Sequence, residues 1–360
     1  MIREFTLVIN PGSTSTKVGV FKQTELLHEK NLTHSAEEVG KYNKISEQYD
    51  FRKDAILAWL KEIGVGVDQL VAVIGRGGLL KSMPSGTYKV TDTMINDLII
   101  GIQGEHASNL GGIIAKAIGD IENIPSFIAD PVAVDEFIEL ARVSGMPELP
   151  RKSLVHALNI KAVARRAAHD MGSDLSKLNF VVAHLGGGIS ISPVEKGKII
   201  DANNANESGP FSPERAGGVP IGQLMELCYS GKYDQSEMKK MLVGKAGLVG
   251  YLGTNDAREV LAKINEGDVY AELIFDAMAY QIAKEIGAMS TVLKGKIDGI
   301  LITGGIAHSK LLCQLIEKRI GFIAPVKIYP GEDEMLALAE GADRVLKGEE
   351  KAKIYEEEVH

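Results

Sequence analysis

A chain of 360 residues is longer than one hydrophobic core usually supports, and it points to two domains. Its 40 basic and 48 acidic side chains leave a formal charge of −8, which disfavours nucleic acid or an anionic membrane as the main partner, so any bound anion must be met locally. Apolar residues at 45% and charged residues at 24% exclude disorder, and Cys228 and Cys313 alone support neither a disulfide framework nor a CxxC metal site.

The opening "MIREFTLVIN" has an acidic residue and only a short apolar run, and no stretch reaches the roughly 18 apolar residues of a membrane span. The expectation is a cytoplasmic protein without a membrane partner. "FTLVIN", "TKVGVF" and "ELLHEKNLTH" read as consecutive antiparallel strands, followed by the helical spacing of "FRKDAILAWLKEIG" and the buried-strand run "LVAVIGRGG". Helical patterns from about Asp92 to Gly101 and Ala107 to Ile118 precede the strand "SFIAD", and a helix from about Leu154 to Met171 follows. The opening pattern then returns. "NFVVAHLGGGISISPVEKGKIIDANN" is again strand, glycine turn, strand, charged turn, strand, with His184-Leu185-Gly186 falling where Asn10-Pro11-Gly12 stood. A long helix from about Ala271 to Leu293, the strands "DGILITGGIAHS" and "VKIYPG", and a helix from about Glu334 to Lys347 complete an α/β alternation.

Three glycine-rich turns follow buried strands, at Gly12, at Gly186 to Gly188, and at Gly304 and Gly305. Glycine permits a tight turn anywhere, and it also bares backbone N–H groups to an anion; three such turns, one carrying "STSTK", favour a phosphate chain. GxxxxGK[ST], GxGxxG after a strand, HExxH and GxSxG are all absent, which removes the P-loop, Rossmann, zinc-protease and serine-hydrolase readings. Arg76 among Gly75, Gly77 and Gly78, and Arg215 in "GPFSPERAGGVP", are either solvated arginines or anion clamps. His106, His156 and His184 are either packed or catalytic. Asp130 ends a strand before Pro131, and Glu332, Asp333 and Glu334 open the last helix as either caps or metal ligands.

"VINPGSTSTK" resembles the first phosphate loop of the acetate and butyrate kinases, within the superfamily of sugar kinases, Hsp70-type chaperones and actin; "AHLGGGIS" resembles their second phosphate loop and "ILITGGIAHS" their adenosine segment. "GRGG", "GEHASNLGG", "ADPVAVDE", "SLVHALN", "SPERAGG" and "EDEMLALAEG" occur in the expected order. Glycines flank Arg76 where acetate kinases carry a histidine and bulky valines, and Gly187 stands where they have asparagine. The chain is therefore closer to the butyrate and branched-chain fatty acid kinases, and the lost side-chain volume implies room for a longer acyl tail.

The resemblance implies an α/β fold of two duplicated ribonuclease H-like domains, mixed sheets flanked by helices, with the active site in the interdomain cleft. Residues 1–165 would form an N-terminal domain, joined by a C-terminal helix over 345–360, and residues 166–344 a C-terminal domain that makes homo-oligomer contacts. ATP/ADP and Mg²⁺ are the implied ligands, with a small carboxylate and its acyl phosphate as the reacting pair. Asn10, Ser13, Ser15 and Lys17 would contact phosphate or its magnesium. His184, Gly186, Gly187 and Gly188 would hold the β and γ phosphates, and Gly304, Gly305 and Ile306 the adenosine. Arg76, with Gly78 and His106, would bind the carboxylate; Arg215 and His156 would act on the transferring phosphoryl group; Asp130 would orient an arginine or metal-bound water. Glu334 would help hold Mg²⁺, with the neighbouring Glu332 as its alternative and Asp135 as the alternative to Asp130. Acetate or propionate kinase is the near alternative, and a nucleotide-driven chaperone or filament ATPase the distant one.

Overall fold

The three antiparallel strands expected at the start of the chain form as β1 (Phe5–Pro11), β2 (Ser15–Lys22) and β3 (Glu25–Thr33) in the computed structural model, which describes residues 3–359. Every residue of β1 from Thr6 to Ile9 is buried, because helices cover both faces of the sheet. Leu7 and Ile9 pack with Ile56, Trp59 and Leu60 of helix Tyr49–Glu62 and with Leu110 and Ile114 of helix Asn109–Gly119. Helix Glu334–Leu346 packs on β1 as well. β4 (Leu70–Arg76) runs parallel to β1, and β6 (Ser126–Ala129) lies parallel to β4 and antiparallel to the short β5 (Thr87–Lys89). The strand Lys353–Ile354 adds parallel to β5 and closes a seven-stranded mixed sheet.

A second sheet holds β7 (Asn179–Leu185), β8 (Ile189–Glu195), β9 (Lys198–Ile199), β10 (Gly299–Gly304) and β11 (Val326–Pro330) in the order β11-β10-β7-β8-β9. Pairing is antiparallel from β7 to β9 and parallel from β7 through β10 to β11. These are the order and senses of β6-β4-β1-β2-β3, so the repetition glimpsed in the two glycine hairpins extends over five strands. The 24-residue helix Val269–Val292 and helix Lys310–Ile320 bury Phe275, Met278, Ile282, Leu312 and Ile316 against this sheet.

The chain divides into two compact units, Met1–Asp135 with Asp333–His360 and Glu136–Glu332. The sequence predicts these changes at 165/166 and 344/345. The first boundary is earlier because helix Ala157–Asp170 packs on β7 and β10, and its Lys161 pairs with Glu136 at 2.6 Å while almost wholly buried. The second is earlier because helix Glu334–Leu346 packs on β1, β4 and β6. A continuous helix over 345–360 does not form: the segment, whose last residue lies outside those described, contains the strand Lys353–Ile354 and one helical turn, Tyr355–Glu358. Tyr355 is buried, donates its hydroxyl to Asp97 Oδ2 at 2.8 Å and accepts the Lys81 N–H, which ties the C-terminus to the loop after Arg76.

Helices Ile221–Tyr229, Gln235–Leu242, Gly247–Leu252 and Ala257–Asn265 are not predicted by the sequence pattern. They are short, glycine-punctuated and mostly exposed, so their apolar periodicity is weak. Among the described residues, no helix is long and apolar enough to cross a membrane.

Candidate active site

In the first unit, β1 and β4 end side by side and helix Glu334–Leu346 begins opposite them, which gathers three polar side chains singled out from sequence. Asn10 Nδ2 donates to Glu334 Oε2 at 2.7 Å, and Arg76 donates through one terminal nitrogen, NH1, to the same oxygen at 3.0 Å and to Asn10 Oδ1 at 3.4 Å. All of Arg76's hydrogen bonds to described residues leave from NH1, so its Nε and NH2 edge is open to a planar anion. Glu334 is thereby separated from Glu332, which lies in the other unit against His184.

His106 lies in the turn before helix Asn109–Gly119. Its Nδ1 accepts the Ser108 N–H at 3.2 Å and faces Ser108 Oγ at 2.8 Å, so the neutral ring carries its proton on Nε2. Burial, and then the Arg76 charge, lower its pKa and favour that neutral form. Asp130 adopts a left-handed backbone at φ 39°, and its buried carboxylate accepts the Gly86 N–H at 2.8 Å, which braces the loop between β5 and the Arg76 turn.

The glycines around Arg76 do not open space for an acyl tail, contrary to the sequence argument. A Cβ on Gly75 would overlap the Gly111 carbonyl, on Gly77 Pro131, and on Gly78 Asn109. The volume is filled by the chain itself, and the missing Cβ of Gly78 lets Asn109 approach. Asn109 is buried and uses Oδ1 to hold the Leu79 N–H at 2.9 Å.

The turn between β1 and β2 exposes Ser13 and Thr14, with Ser15 half-buried. Lys17 stands opposite Asn10 in the β1–β2 register and so shares its face, but its ammonium pairs with Glu29 at 3.0 Å.

In the second unit, His184 is buried near the end of β7, with Nδ1 3.0 Å from Asn159 Oδ1 and Nε2 3.2 Å from Glu332 Oε1. His156 stacks on it at 4.2 Å and meets Ser190 Oγ at 2.9 Å; it precedes helix Ala157–Asp170 instead of lying inside it. The turn at Gly186 to Gly188 is pinned by Ser212 Oγ, which donates to the Gly187 carbonyl at 2.5 Å. Arg215 lies across Gly188 so closely that a Cβ there would overlap the guanidinium, and burial lowers its pKa against the opposing influence of Glu214.

A cavity of about 830 Å³ opens beside this turn, a volume typical of ligand sites. Gly186, Gly187, Gly305, Ile306 and Glu332 line it, whereas Gly304 supports from behind, its φ of 95° and missing Cβ allowing β10 to pass the Leu185 backbone. Sequence reasoning missed further lining residues, among them Glu214, Asn255, Asp256 and Arg258. Asp256 caps helix Ala257–Asn265 and chelates Arg258, whose hydrogen bonds pull the Asp256 carboxyl down to about 2. The cap signal in "TNDAREV" was available in the sequence.

Each unit of this duplicated α/β fold carries a glycine hairpin turn, the first next to Arg76 with its Nε and NH2 unpaired among the described residues and the second beside a nucleotide-sized cavity, features of a phosphotransferase. The model of the acetokinase family matches residues 149–341. The chain is 56% identical over 350 residues to a protein of Clostridium botulinum named "Probable butyrate kinase", covering 97% of this chain and 99% of that one. It is 55% identical over the same shares to "Butyrate kinase 1" of Clostridium acetobutylicum. The crystal structure of Porphyromonas gingivalis acetate kinase superposes with a TM-score of 0.76 at 20% identity, over 94% of this chain and 99% of that one, which establishes a shared fold. This chain belongs to the acetokinase family.

Proposed function

We propose that the protein transfers the γ-phosphoryl group of ATP to a short-chain carboxylate, butyrate or a branched analogue, giving acyl phosphate and ADP reversibly. The observation that carries this reading is Arg76, fixed by Glu334 and Asn10 through one nitrogen while its remaining edge is free to grip a carboxylate. A carboxylate is ionised at neutral pH, so attack on phosphorus needs no general base. One carboxylate oxygen forms the new P–O bond, the bond to the bridging β–γ oxygen breaks, and ADP departs with that electron pair. The chain's task is to position two anions and neutralise the charge between them.

The roles divide by unit. In the first, Arg76 clamps the carboxylate and His106 offers its Nε2–H to it, while Ser13 and Ser15 donate to phosphate. Lys17 reaches phosphate only by releasing Glu29, and Asp130 acts by shaping the loop that carries Gly86. In the second, Gly186, Gly187 and Gly188 present backbone N–H groups to the β and γ phosphates, and Gly305 and Ile306 line the adenosine. Arg215 and His156 stabilise the phosphoryl group in transit, and His184 orients His156 by stacking.

No three His, Cys, Asp or Glu side chains gather as a metal cluster among the described residues. Asn10 and Glu334 nevertheless fit Mg²⁺, a cation that uses one or two protein oxygens and takes the rest of its shell from phosphate and water. When bound it would neutralise phosphate charge; Asn10 Oδ1 and the Oε1 of Glu334 are the oxygens suited to hold it.

The preference for butyrate rests on the relatives' names and not on the glycines beside Arg76. Hydroxylamine trapping with ATP and acids of two to five carbons tests the whole reading. Hydroxamate from a four-carbon or branched acid in excess of that from acetate is the expected result. Better turnover of acetate would reassign the substrate, and steady ATP hydrolysis without any hydroxamate would overturn the kinase.

We further propose a homo-oligomer. Helix Ile221–Tyr229 buries none of its residues and leaves Ile221 82% and Tyr229 88% exposed, an apolar face suited to a second copy. The double substitution Ile221→Glu and Tyr229→Glu is expected to lower the mass measured by light scattering to that of one chain. An unchanged mass would place the contact elsewhere.

A further inference from the structure

Arg52, on helix Tyr49–Glu62, is among the most buried side chains in the protein, at 1% exposure, yet it forms no ion pair with any described residue. One terminal nitrogen donates to the carbonyls of Gly12 at 2.8 Å and Ser15 at 3.1 Å and to Thr16 Oγ1 at 3.1 Å. The other donates to the Ser13 carbonyl at 3.0 Å and to Gln48 Oε1 at 2.8 Å. All five acceptors are neutral, and Arg52 Nε has no partner.

We propose that Arg52 is a positioning residue of the first phosphate loop: it draws the loop's carbonyls to the protein side, and the bound phosphate is the anion that its charge lacks. The His34 N–H takes the Thr14 carbonyl at 2.9 Å, and the Gly12 N–H closes on the Ser15 carbonyl at 2.8 Å. With Arg52, every carbonyl from Gly12 to Ser15 is therefore engaged from within, so the exposed tip meets an anion without repelling oxygens. Thr16 Oγ1 accepts from Arg52 and shares a hydrogen bond with His34 Nε2, 2.9 Å away, which extends the brace by one layer. Burial and the Arg52 charge both lower the His34 pKa and favour its neutral ring, which adds no second cation beside Arg52. Glu38, which also acts on His34, is bound by Ser35 in a capping box. Burial pulls the Arg52 pKa down to about 10, which leaves the guanidinium charged at neutral pH.

A charge buried without a counter-ion is costly, and loop geometry alone does not require one. A phosphate at the outer face of the loop supplies the compensation when the substrate is bound.

This role rests on the kinase reading, and the test separates the two. The hydroxamate assay is run on the full chain with wild type, Arg52→Lys and Arg52→Gln, each shown folded by its thermal transition at the assay temperature. Arg52→Gln is expected to lower kcat by about 10²-fold, with the butyrate KM changed less than about threefold. Arg52→Lys, which keeps the charge and loses the planar fork, is expected to fall between, at roughly tenfold below wild type. Equal kcat in the two variants would remove the role of charge, and a wild-type kcat in Arg52→Gln would remove the role altogether. If Arg52→Gln does not fold, Arg52→Lys decides alone, a kcat within about twofold of wild type overturning the proposal. A wild type that forms no hydroxamate overturns the kinase reading, and this role with it, before any variant is compared.

Discussion

Arg76→Ala is expected to reduce kcat/KM for acyl phosphate formation by roughly 10³-fold, with the carboxylate KM rising and the fold retained. The side chain is held at the end of β4 by hydrogen bonds from NH1 to Glu334 and Asn10, and its Nε and NH2 edge is the only part offered outward. Truncation removes that edge and also frees Glu334, a carboxylate whose other partner, Asn10, remains. Because the Arg76 and Glu334 side chains are 26% and 18% exposed, loss of the pair is expected to cost only about 1 kcal/mol of stability. Arg76→Lys keeps the charge but cannot both hold Glu334 and present a planar fork, so it should be impaired by a smaller factor. Steady-state kinetics with a thermal melt on each variant checks this. An Arg76→Ala protein that melts as wild type and turns over as wild type would show that the carboxylate is held elsewhere.

Gly188→Ala is expected to lower kcat by about 10²-fold at almost unchanged thermal stability, whereas Gly187→Ala should leave both near wild type. A Cβ at Gly188 overlaps the Arg215 guanidinium, the far end of a flexible side chain that can swing aside at little cost to folding. The displaced group is the one proposed to meet the phosphoryl charge, and an ångström of misplacement there is costly to the rate. A Cβ at Gly187 meets nothing nearer than Glu214 at 3.6 Å, an ordinary contact. Equal losses in the two variants would mean that backbone flexibility of the whole turn matters, and not the lie of Arg215.

Local signals carried much of this protein. Apolar runs bounded by glycine marked β1, β4, β7 and β10, because strands covered on both faces lose their alternation and cannot be confused with surface elements. The recurrence of strand, glycine turn and strand pointed to a duplicated architecture. Arg76, Arg215, His184 and the two hairpin turns stood out because glycine beside a charged residue is rarely needed by a solvated loop. Elements whose burial depends on distant partners were less legible. The helices between 221 and 265 and the C-terminal strand Lys353–Ile354 carry little periodicity of their own, and the strand exists because β5 lies beside it.

By itself, the amino-acid order determined the kind of sheet, the glycine hairpin turns and the cast of polar residues, since each is written in a few consecutive positions. Only the tertiary structure decided which carboxylate meets which cation: Glu332 and Glu334 are two residues apart, yet one faces His184 and the other Arg76 and Asn10. It also decided that the glycines around Arg76 admit Gly111, Pro131 and Asn109, because a missing Cβ says that something comes close without saying what. Arg52 belongs to the same class. In sequence it is one more arginine on a surface-like helix, and only folding places it beneath the loop whose carbonyls it gathers.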